Sequence, residues 1–373
     1  MAVIALTGLA GTGKTALATW WLRQVRGNYP GGQLFARLGG HLPGAPVPPG
    51  EVLGQFLRAL GMPPTRPDDV EELTGMWRSA TTARRLIVML DNATTAAQVR
   101  ALLPAGGPSL VVVTSRHTLN ALALDGAHFT RLGPLDEHAA VEQLGLVLGD
   151  GRAAAEPDAA RAVVQLCGCL PLAVCVIAAR HALSPQRTVA EMAAELASEP
   201  HRLAALSLDG DGDLSVPAAF DGSYQALGTD VARMYRLASL LPAPEFSAEL
   251  AAAATATGPR HAAGLLDALV DASLLEEPAT RSYRFHPLVR LHARGYADTH
   301  LADERQAMIT RSAGWFLHAA VAACAADTSP GLLRADGAAW SASIGHIHAS
   351  DGPALPRELN STGRQMSLTD SMW

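Results

Sequence analysis

Near its amino terminus the chain reads Gly8-Leu9-Ala10-Gly11-Thr12-Gly13-Lys14-Thr15. Every required position of the phosphate-binding pattern G-x-x-x-x-G-K-[ST] is filled, which predicts a loop whose backbone amides surround a polyphosphate. Lys14 is the single lysine, although lysine and arginine together number 29. A lysine ammonium is a compact charge on a flexible stem, and it reaches phosphate oxygens in a way that a planar guanidinium does not.

The residues on either side of this loop have the pattern that the motif requires. Val3–Leu6 is a short apolar run typical of a buried parallel strand, and Ala16–Leu22 reads as a helix. A strand followed by a glycine-rich loop and a helix places the loop amides and the amino terminus of the helix around an anion. The hydroxyl of Thr15 is expected to bind Mg²⁺. We predict that these residues bind the nucleotide: Gly8, Leu9, Ala10, Gly11, Thr12, Gly13, Lys14, Thr15 and Ala16.

Composition narrows the class of protein. The 373 residues are 49% hydrophobic and carry a formal net charge of −6, which argues against a nucleic-acid-binding surface along the whole chain. No basic segment precedes the first apolar run, so no signal peptide is expected. The longest apolar run, Cys169–Ala179, contains Pro171 and is too short to span a bilayer. We therefore predict a cytoplasmic protein with no membrane contact.

The order of apolar segments predicts the domains. Up to residue 134, strand-like runs alternate with helical stretches, which is typical of an α/β fold: a P-loop parallel sheet with helices on both faces. The predicted strands after the first are Gln33–Leu38, Leu86–Leu90, Leu110–Thr114 and His128–Thr130.

The remainder is expected to be mostly helical. The alanine- and leucine-rich stretch 135–200 predicts a helical domain. In 217–300, short helices precede two extended runs, Ser273–Glu276 and Tyr283–Phe285, and this order predicts a winged-helix domain. The other predicted parts are a polar linker at 201–216 containing Asp209–Asp213, a C-terminal helix at 301–330, and a disordered tail at 331–373.

A second nucleotide-site candidate ends the third predicted strand. Ile87–Asp91 is four apolar residues followed by an acid, and ligands bind at the carboxyl ends of the strands in such sheets. The Asp91 carboxylate is expected to hold Mg²⁺ through a water beside Thr15. The next residue is Asn92, which can orient a water but is a poor base at neutral pH, so any ATP hydrolysis is expected to be slow.

A further candidate ends the fourth strand. Arg116 follows Thr114-Ser115, and its guanidinium can bind the oxygens of a terminal phosphate bidentately. A solvated arginine at a strand end is the alternative interpretation. The predicted catalytic set is Lys14, Asp91, Asn92 and Arg116.

The order of five segments resembles a known family. GLAGTGKT, IVMLDNA, VVVTSR, CGCLPLAV and YRFHPLVRLHAR are similar to the NB-ARC type of STAND signalling ATPase, in the version found in bacterial transcriptional regulators of the antibiotic regulatory protein type. The resemblance covers residues 1 to about 325. It implies that ADP holds a closed, inactive state and that exchange for ATP opens the molecule and drives homo-oligomerisation, with an effector or regulator protein as partner.

The resemblance also implies roles for single residues. Gly8–Thr15 would bind the phosphates, Asp91 would serve Mg²⁺, and Arg116 would sense the γ-phosphate. Pro171 would pack near the adenine and sugar, and His286 would reach the β-phosphate of ADP.

Three features depart from the family pattern. Cys169 stands where the family has glycine, which predicts a modest shift of that loop, and Pro287 stands where an aspartate usually follows the histidine. The chain also begins two residues before the first strand, whereas the family normally has an upstream segment that contacts adenine and ribose, so we expect a truncated product or a stand-alone unit with reduced nucleotide affinity. We also expect no effector domain before the loop and no sensor repeats after residue 330.

Two other functions are compatible with parts of the sequence. The first is a DNA-binding transcription factor that uses its winged helix directly, with Arg260–Ser273 as the recognition helix. This helix carries Arg260 and His261 but also Asp267 and Asp271, and duplex contact requires clustered basic residues. Direct DNA contact is therefore not expected, and the domain is expected to act as an internal lever. The second, a mechanical ATPase, is disfavoured by Asn92.

Overall fold

The computed structural model describes residues 1–39, 46–62, 69–208, 215–300 and 302–326. The aspartate- and glycine-rich run of the predicted linker, Asp209–Asp213, and the predicted tail, 331–373, lie outside the described residues.

The elements of the described chain fall into three successive parts. The first contains β1 (Ala2–Thr7), α1 (Lys14–Val25), β2 (Gln33–Arg37), α2 (Pro49–Ala59), α3 (Val70–Thr81), β3 (Ile87–Ala93), α4 (Ala96–Ala101), β4 (Leu110–Ser115) and β5 (Ala127–Arg131). The second contains α5 (Glu137–Leu148), α6 (Arg152–Ala155), α7 (Pro157–Leu166), α8 (Pro171–Ala182), α9 (Val189–Ala197) and α10 (Glu199–Ala205). The third contains α11 (Val216–Gln225), α12 (Thr229–Ser239), β6 (Glu245–Ser247), α13 (Ala248–Thr255), α14 (Pro259–Asp271), β7 (Glu276–Ala279), β8 (Ser282–Arg284), α15 (Pro287–His300) and α16 (Ala302–Ala326).

Strands β1 to β5 form one parallel sheet in the order β2-β3-β4-β1-β5. Successive side chains of a strand point to opposite faces. In β3, Ile87 and Met89 pack with α1 on one face, whereas Val88 and Leu90 join the core formed with α2, α3 and α4 on the other. Because helices cover both faces, the inner strands β3 and β4 begin with four consecutive apolar residues and become polar only at their carboxyl ends. The predicted α/β fold with a parallel sheet is confirmed.

The glycine-rich loop between β1 and α1 belongs to a different core. Leu9 and Ala10 are buried in the same apolar cluster as residues of α5, α8, α12 and α15. The backbone N–H of Leu172, in α8, donates to the Gly11 carbonyl at 3.1 Å. The back of the loop is therefore hydrogen-bonded to the second part of the chain and belongs to the apolar core that the second and third parts share.

The small second sheet differs from the sequence prediction. Its three strands are antiparallel in the order β6-β8-β7, and β7 begins at Glu276 instead of Ser273. Ser273 has a φ of +54°, and Leu274 N–H donates back to the Leu269 carbonyl at 3.0 Å. These residues therefore close the carboxyl end of α14 in a left-handed turn and do not start a strand.

Two boundaries also bear on the sequence analysis. Helix α10 continues to Ala205, so helical structure extends into the predicted linker at 201–216. Helix α16 accounts for 302–326 of the predicted C-terminal helix. Within the described ranges, every helix falls short of the combination of length and apolar character that crossing a membrane requires.

Candidate functional site

The loop after β1 has a backbone shape that its glycines permit. Gly8 has a φ of +136°, and a Cβ at this position would lie 2.3 Å from the carbonyl oxygen of Leu132. Gly13, with a φ of +83°, occupies the N-cap position of α1, and among the described residues no side chain caps that helix end. The first amides of α1 are thus available to an anion, which is the arrangement that binds phosphates.

Lys14 lies folded over this loop and is 8% exposed. Its Nζ donates to the carbonyl oxygens of Gly8 at 2.8 Å and Leu9 at 2.7 Å. Burial and, to a smaller extent, the nearby Arg116 together lower the pKa of Lys14 to about 7, with Asp91 acting in the opposite direction. A bound polyphosphate would supply the negative charge that favours the ammonium form.

Asp91 and Thr15 come from β3 and the start of α1, and the fold brings them into contact. Thr15 Oγ1 donates to Asp91 Oδ1 at 2.6 Å, and Thr114 Oγ1 donates to the same oxygen at 2.7 Å. Asp91 is 4% exposed. A carboxylate and a hydroxyl at the rim of a phosphate loop are hard oxygen ligands of the kind that Mg²⁺ takes, so the residues present fit this metal.

Asn92 lies at a bulge in β3. The pairing of β3 with β4 shifts register between Leu90 and Ala93, and Asn92 has a φ of +63°, a left-handed conformation that asparagine tolerates better than most residues. The backbone N–H of Asn92 donates to Thr114 Oγ1 at 2.9 Å. The bulge thus anchors Asn92 beside Asp91 at the carboxyl edge of the sheet.

Arg116 follows β4 at the same edge. Its Nη1 donates to the carbonyl oxygen of Ala219 and to Ser223 Oγ, both in α11. Burial lowers the pKa of Arg116 to about 10, against the opposing effect of Asp91. The predicted phosphate sensor therefore contacts the third part of the chain, at residues more than a hundred positions away.

Other residues at the carboxyl edge of the sheet make similar contacts with the third part of the chain. Thr118 N–H donates to the Asp271 carbonyl at 3.2 Å, and Thr118 Oγ1 donates to Asp271 Oδ1 at 2.8 Å. Arg131, at the end of β5, donates to the Leu275 carbonyl at 3.3 Å. The carboxyl edge of the parallel sheet is thus bound to α11 and to the end of α14.

Pro171 begins α8, and the N–H of its neighbour Leu172 bonds to the loop at Gly11. Pro171 is therefore beside the glycine-rich loop. Cys169, two residues earlier, has a φ of +54°. The residue that replaces glycine in the family pattern thus adopts a left-handed conformation itself, and this conformation is unfavourable for a side chain with a Cβ.

His286 is 5% exposed and lies against the turn between α7 and α8. Its Nδ1 accepts from Leu288 N–H at 3.3 Å, which leaves the proton on Nε2, and Nε2–H donates to the Gly168 carbonyl at 2.9 Å. Burial lowers the pKa of His286, with the Gly168 contact opposing, so the neutral ring is favoured. His286 and Leu9 also line one cavity of about 390 Å³.

The structure therefore gathers Lys14, Thr15, Asp91, Asn92 and Arg116 at one edge of the sheet. His286 contacts Gly168 and reaches the loop only through the shared cavity.

Sequence reasoning missed several residues at this edge. Thr114 bonds Asp91, and Arg37 places its Nε 3.6 Å from Asp91 Oδ2. Both lie at the carboxyl ends of parallel strands, where the pattern that selected Asp91 could also have selected them. Ser223 and Asp271 contact the edge from distant helices and give no signal in the sequence.

The sequence is similar to that of two regulatory proteins. No protein-family model matches the chain. It is 38% identical over 395 residues to the regulatory protein AfsR of Streptomyces coelicolor, covering 100% of this chain and 39% of that protein. It is 42% identical over 299 residues to the regulatory protein AfsR of Streptomyces griseus, covering 80% of this chain and 30% of that protein. The chain thus spans less than half the length of these relatives.

A solved structure supports the fold. The Walker-type ATPase of Pyrococcus abyssi matches with a TM-score of 0.53 and 12% identity, covering 78% of this chain and 91% of that one. At this identity the likeness concerns the fold alone. The chain is therefore similar in sequence to regulatory proteins and has the fold of a Walker-type ATPase.

Proposed function

We propose that the chain is a nucleotide-controlled regulatory switch of the NB-ARC type, in which ADP favours a closed arrangement and ATP an open one. One observation carries this proposal. Arg116, the residue that we propose binds a γ-phosphate, donates in this structure to Ala219 and Ser223 of α11. A γ-phosphate and α11 therefore compete for the same guanidinium, and ATP differs from ADP by that phosphate.

The energies indicate that Arg116 does not act alone. A hydrogen bond to a charged group contributes about 1.5–3 kcal/mol. Moving a two-state protein from 1:99 to 99:1 requires about 5.5 kcal/mol of differential binding. A second contact that differs between the nucleotides is needed, and His286 is the proposed residue.

His286 is suited to this role by its burial and its tautomer. The Nε2–H that donates to Gly168 could donate to a phosphate oxygen instead, and the ring shares a cavity with Leu9 of the loop. We propose that ADP is held at its β-phosphate by His286 and that Pro171 packs near the adenine and sugar. Pro287 cannot supply the carboxylate of the family pattern, so the closed state is expected to be weaker here.

Hydrolysis is proposed to be slow. Thr15 and Asp91 would hold Mg²⁺, which neutralises phosphate charge when it is bound. Lys14 binds the phosphates. Asn92 can orient a water but does not remove its proton at neutral pH, because an amide is not a base in this range.

The regulatory part of the proposal rests on similarity to proteins named as regulatory. We propose a cytoplasmic protein that forms a homo-oligomer in its ATP state and acts on an effector or regulator protein. Direct DNA binding through the proposed winged helix is disfavoured in the closed arrangement, because Asp271 at the end of α14 is bound to Thr118.

The test is to denature the purified protein and identify the nucleotide that it releases. ADP is the expected product. The melting temperature of the stripped protein should rise when ADP and Mg²⁺ are added, since a ligand at a thousand times its Kd stabilises a fold by about 4.1 kcal/mol. Lys14→Ala should abolish this rise. If calorimetry detects no heat from ATP or ADP at millimolar concentration, the proposal is wrong.

A further inference from the structure

Arg37 is a cation at the site that the proposed function does not use. It ends β2, and the parallel register pairs it directly with Asp91 of β3. Its Nε lies 3.6 Å from Asp91 Oδ2. The Asp91 side chain is 6% exposed, whereas that of Arg37 is 57% exposed and extends from the buried carboxylate into solvent.

The two oxygens of Asp91 have different neighbours. Oδ1 accepts the hydroxyl hydrogens of Thr15 and Thr114, and Oδ2 faces Arg37. A divalent cation that binds between Thr15 and Asp91 must replace the Thr15 hydrogen bond and must also tolerate a guanidinium against the second oxygen. Arg37 and Mg²⁺ therefore carry the same sign of charge to the same carboxylate.

We propose that Arg37 is a built-in counter-ion of Asp91 that competes with Mg²⁺ and makes nucleotide binding less dependent on the metal. When Mg²⁺ is scarce, the guanidinium balances the buried carboxylate, and its other N–H groups can donate to the phosphate oxygens of a nucleoside diphosphate. When Mg²⁺ is abundant, repulsion moves the exposed side chain away from Asp91. This inference rests on the proposed nucleotide binding.

The expected size of the effect follows from the exposure of the Arg37 guanidinium, although the Asp91 carboxylate is buried. Ion pairs that solvent screens are worth about 1 kcal/mol or less, which corresponds to about a fivefold change in a binding constant. The exposure also means that replacing Arg37 opens no cavity in the core. The effect should therefore appear in the metal dependence of binding more than in the stability of the fold.

The experiment measures the affinity of the full chain for ADP by calorimetry, first with EDTA and then over a series of Mg²⁺ concentrations. In Arg37→Gln, the Mg²⁺ concentration at half-maximal effect should fall about fivefold, and ADP affinity in EDTA should fall as well. Arg37→Lys keeps the charge and should stay near the unmodified protein. Arg85→Gln is the matched control, because Arg85 is an exposed arginine just before the opposite end of β3.

A second substitution distinguishes a change in Mg²⁺ dependence from a folding defect. Arg37→Glu should lower the required Mg²⁺ concentration further than Arg37→Gln, because it adds a carboxylate beside Asp91. If the unmodified protein binds ADP and all the Arg37 variants show its Mg²⁺ dependence, the inference is wrong while the proposed function stands. If the unmodified protein binds no ADP at any Mg²⁺ concentration, the proposed function itself fails.

Discussion

Gly168→Ala tests the contact between His286 and the turn that precedes α8. Gly168 has a φ of +59°, and its carbonyl accepts from His286 Nε2–H at 2.9 Å. An added Cβ would lie 2.5 Å from His286 Cε1 and 2.6 Å from Nε2. The ring is held by the packed start of α15, so it must leave this position if the methyl group is present.

Two effects contribute to the expected loss of stability. A left-handed alanine costs about 1–2 kcal/mol relative to glycine. Displacing the ring leaves the buried Gly168 carbonyl without its donor, which costs about 1–3 kcal/mol. We therefore expect Gly168→Ala to lower the free energy of unfolding by about 2–5 kcal/mol and to speed ADP release.

The control separates the two effects. Gly149, the C-cap of α5, has a φ of +72° and no atom within 4 Å of its hypothetical Cβ among the described residues. Gly149→Ala should therefore cost only the backbone term, about 1–2 kcal/mol. Equilibrium urea unfolding of the two variants measures the difference, and stopped-flow release of a fluorescent ADP analogue measures the off-rate.

A double substitution completes the test. In the double variant Gly168→Ala with His286→Ala, the smaller side chain at position 286 removes the clash. The losses of stability of the two single variants should therefore not add. If Gly168→Ala costs no more than Gly149→Ala, or if the double variant is additive, the conclusion that His286 packs and bonds against Gly168 is refuted.

Three further predictions concern the loop, its lysine and α11. Cys169→Gly should raise the free energy of unfolding, measured by urea titration, by about 0.5 kcal/mol, because the relief of left-handed strain exceeds the entropy cost of glycine. Cys175→Gly, inside α8, should instead lower the free energy of unfolding by about 1 kcal/mol. A lower free energy of unfolding in Cys169→Gly would contradict this prediction. Burial lowers the pKa of Lys14 to about 7 and a phosphate favours its charged form, so ADP affinity should be greatest below about pH 7 and should fall as pH rises, by at most about tenfold per unit. Calorimetry across this range, in buffers of different ionisation enthalpy, should show proton uptake; a flat profile would mean that Lys14 stays charged throughout. Ser223→Ala removes one hydrogen-bond acceptor of Arg116 and should raise the ratio of ATP affinity to ADP affinity about threefold, a change of about 0.7 kcal/mol. An unchanged ratio would show that α11 and the γ-phosphate do not compete for Arg116.

Contacts within the third part of the chain link the Arg116 site to the His286 site. Ser223 and Asp221 lie on the same helix, α11, and Asp221 Oδ1 is 3.0 Å from His292 Nε2 in α15. The same α15 begins directly after His286. The hydrogen-bonded helices α11 and α15 thus join the Arg116 contact to the His286 contact, so we expect release of one contact to weaken the other.

The site could be predicted from the sequence where its residues are local in the chain. The glycines, Lys14 and Thr15 lie within eight positions, and their chemistry follows from a backbone turn that only such a spacing forms. Asp91 was found because the end of an apolar strand is visible as a pattern. The parallel sheet was predicted for the same reason, since burial on both faces requires uninterrupted apolar runs.

The partners of these residues depended on how distant segments pack. Nothing beside Arg116 in the sequence indicates that Ser223 binds it. The ion pair between Arg37 and Asp91 could be recognised only from the register of β2 against β3. His286 was predicted to face a phosphate, yet its present acceptor is a carbonyl in the α7–α8 turn. The sequence by itself determined the phosphate loop and the sheet, because local backbone preference and apolar periodicity are encoded residue by residue. The tertiary structure decided which acceptor each cation meets, because that choice depends on the docking of helices more than a hundred residues away.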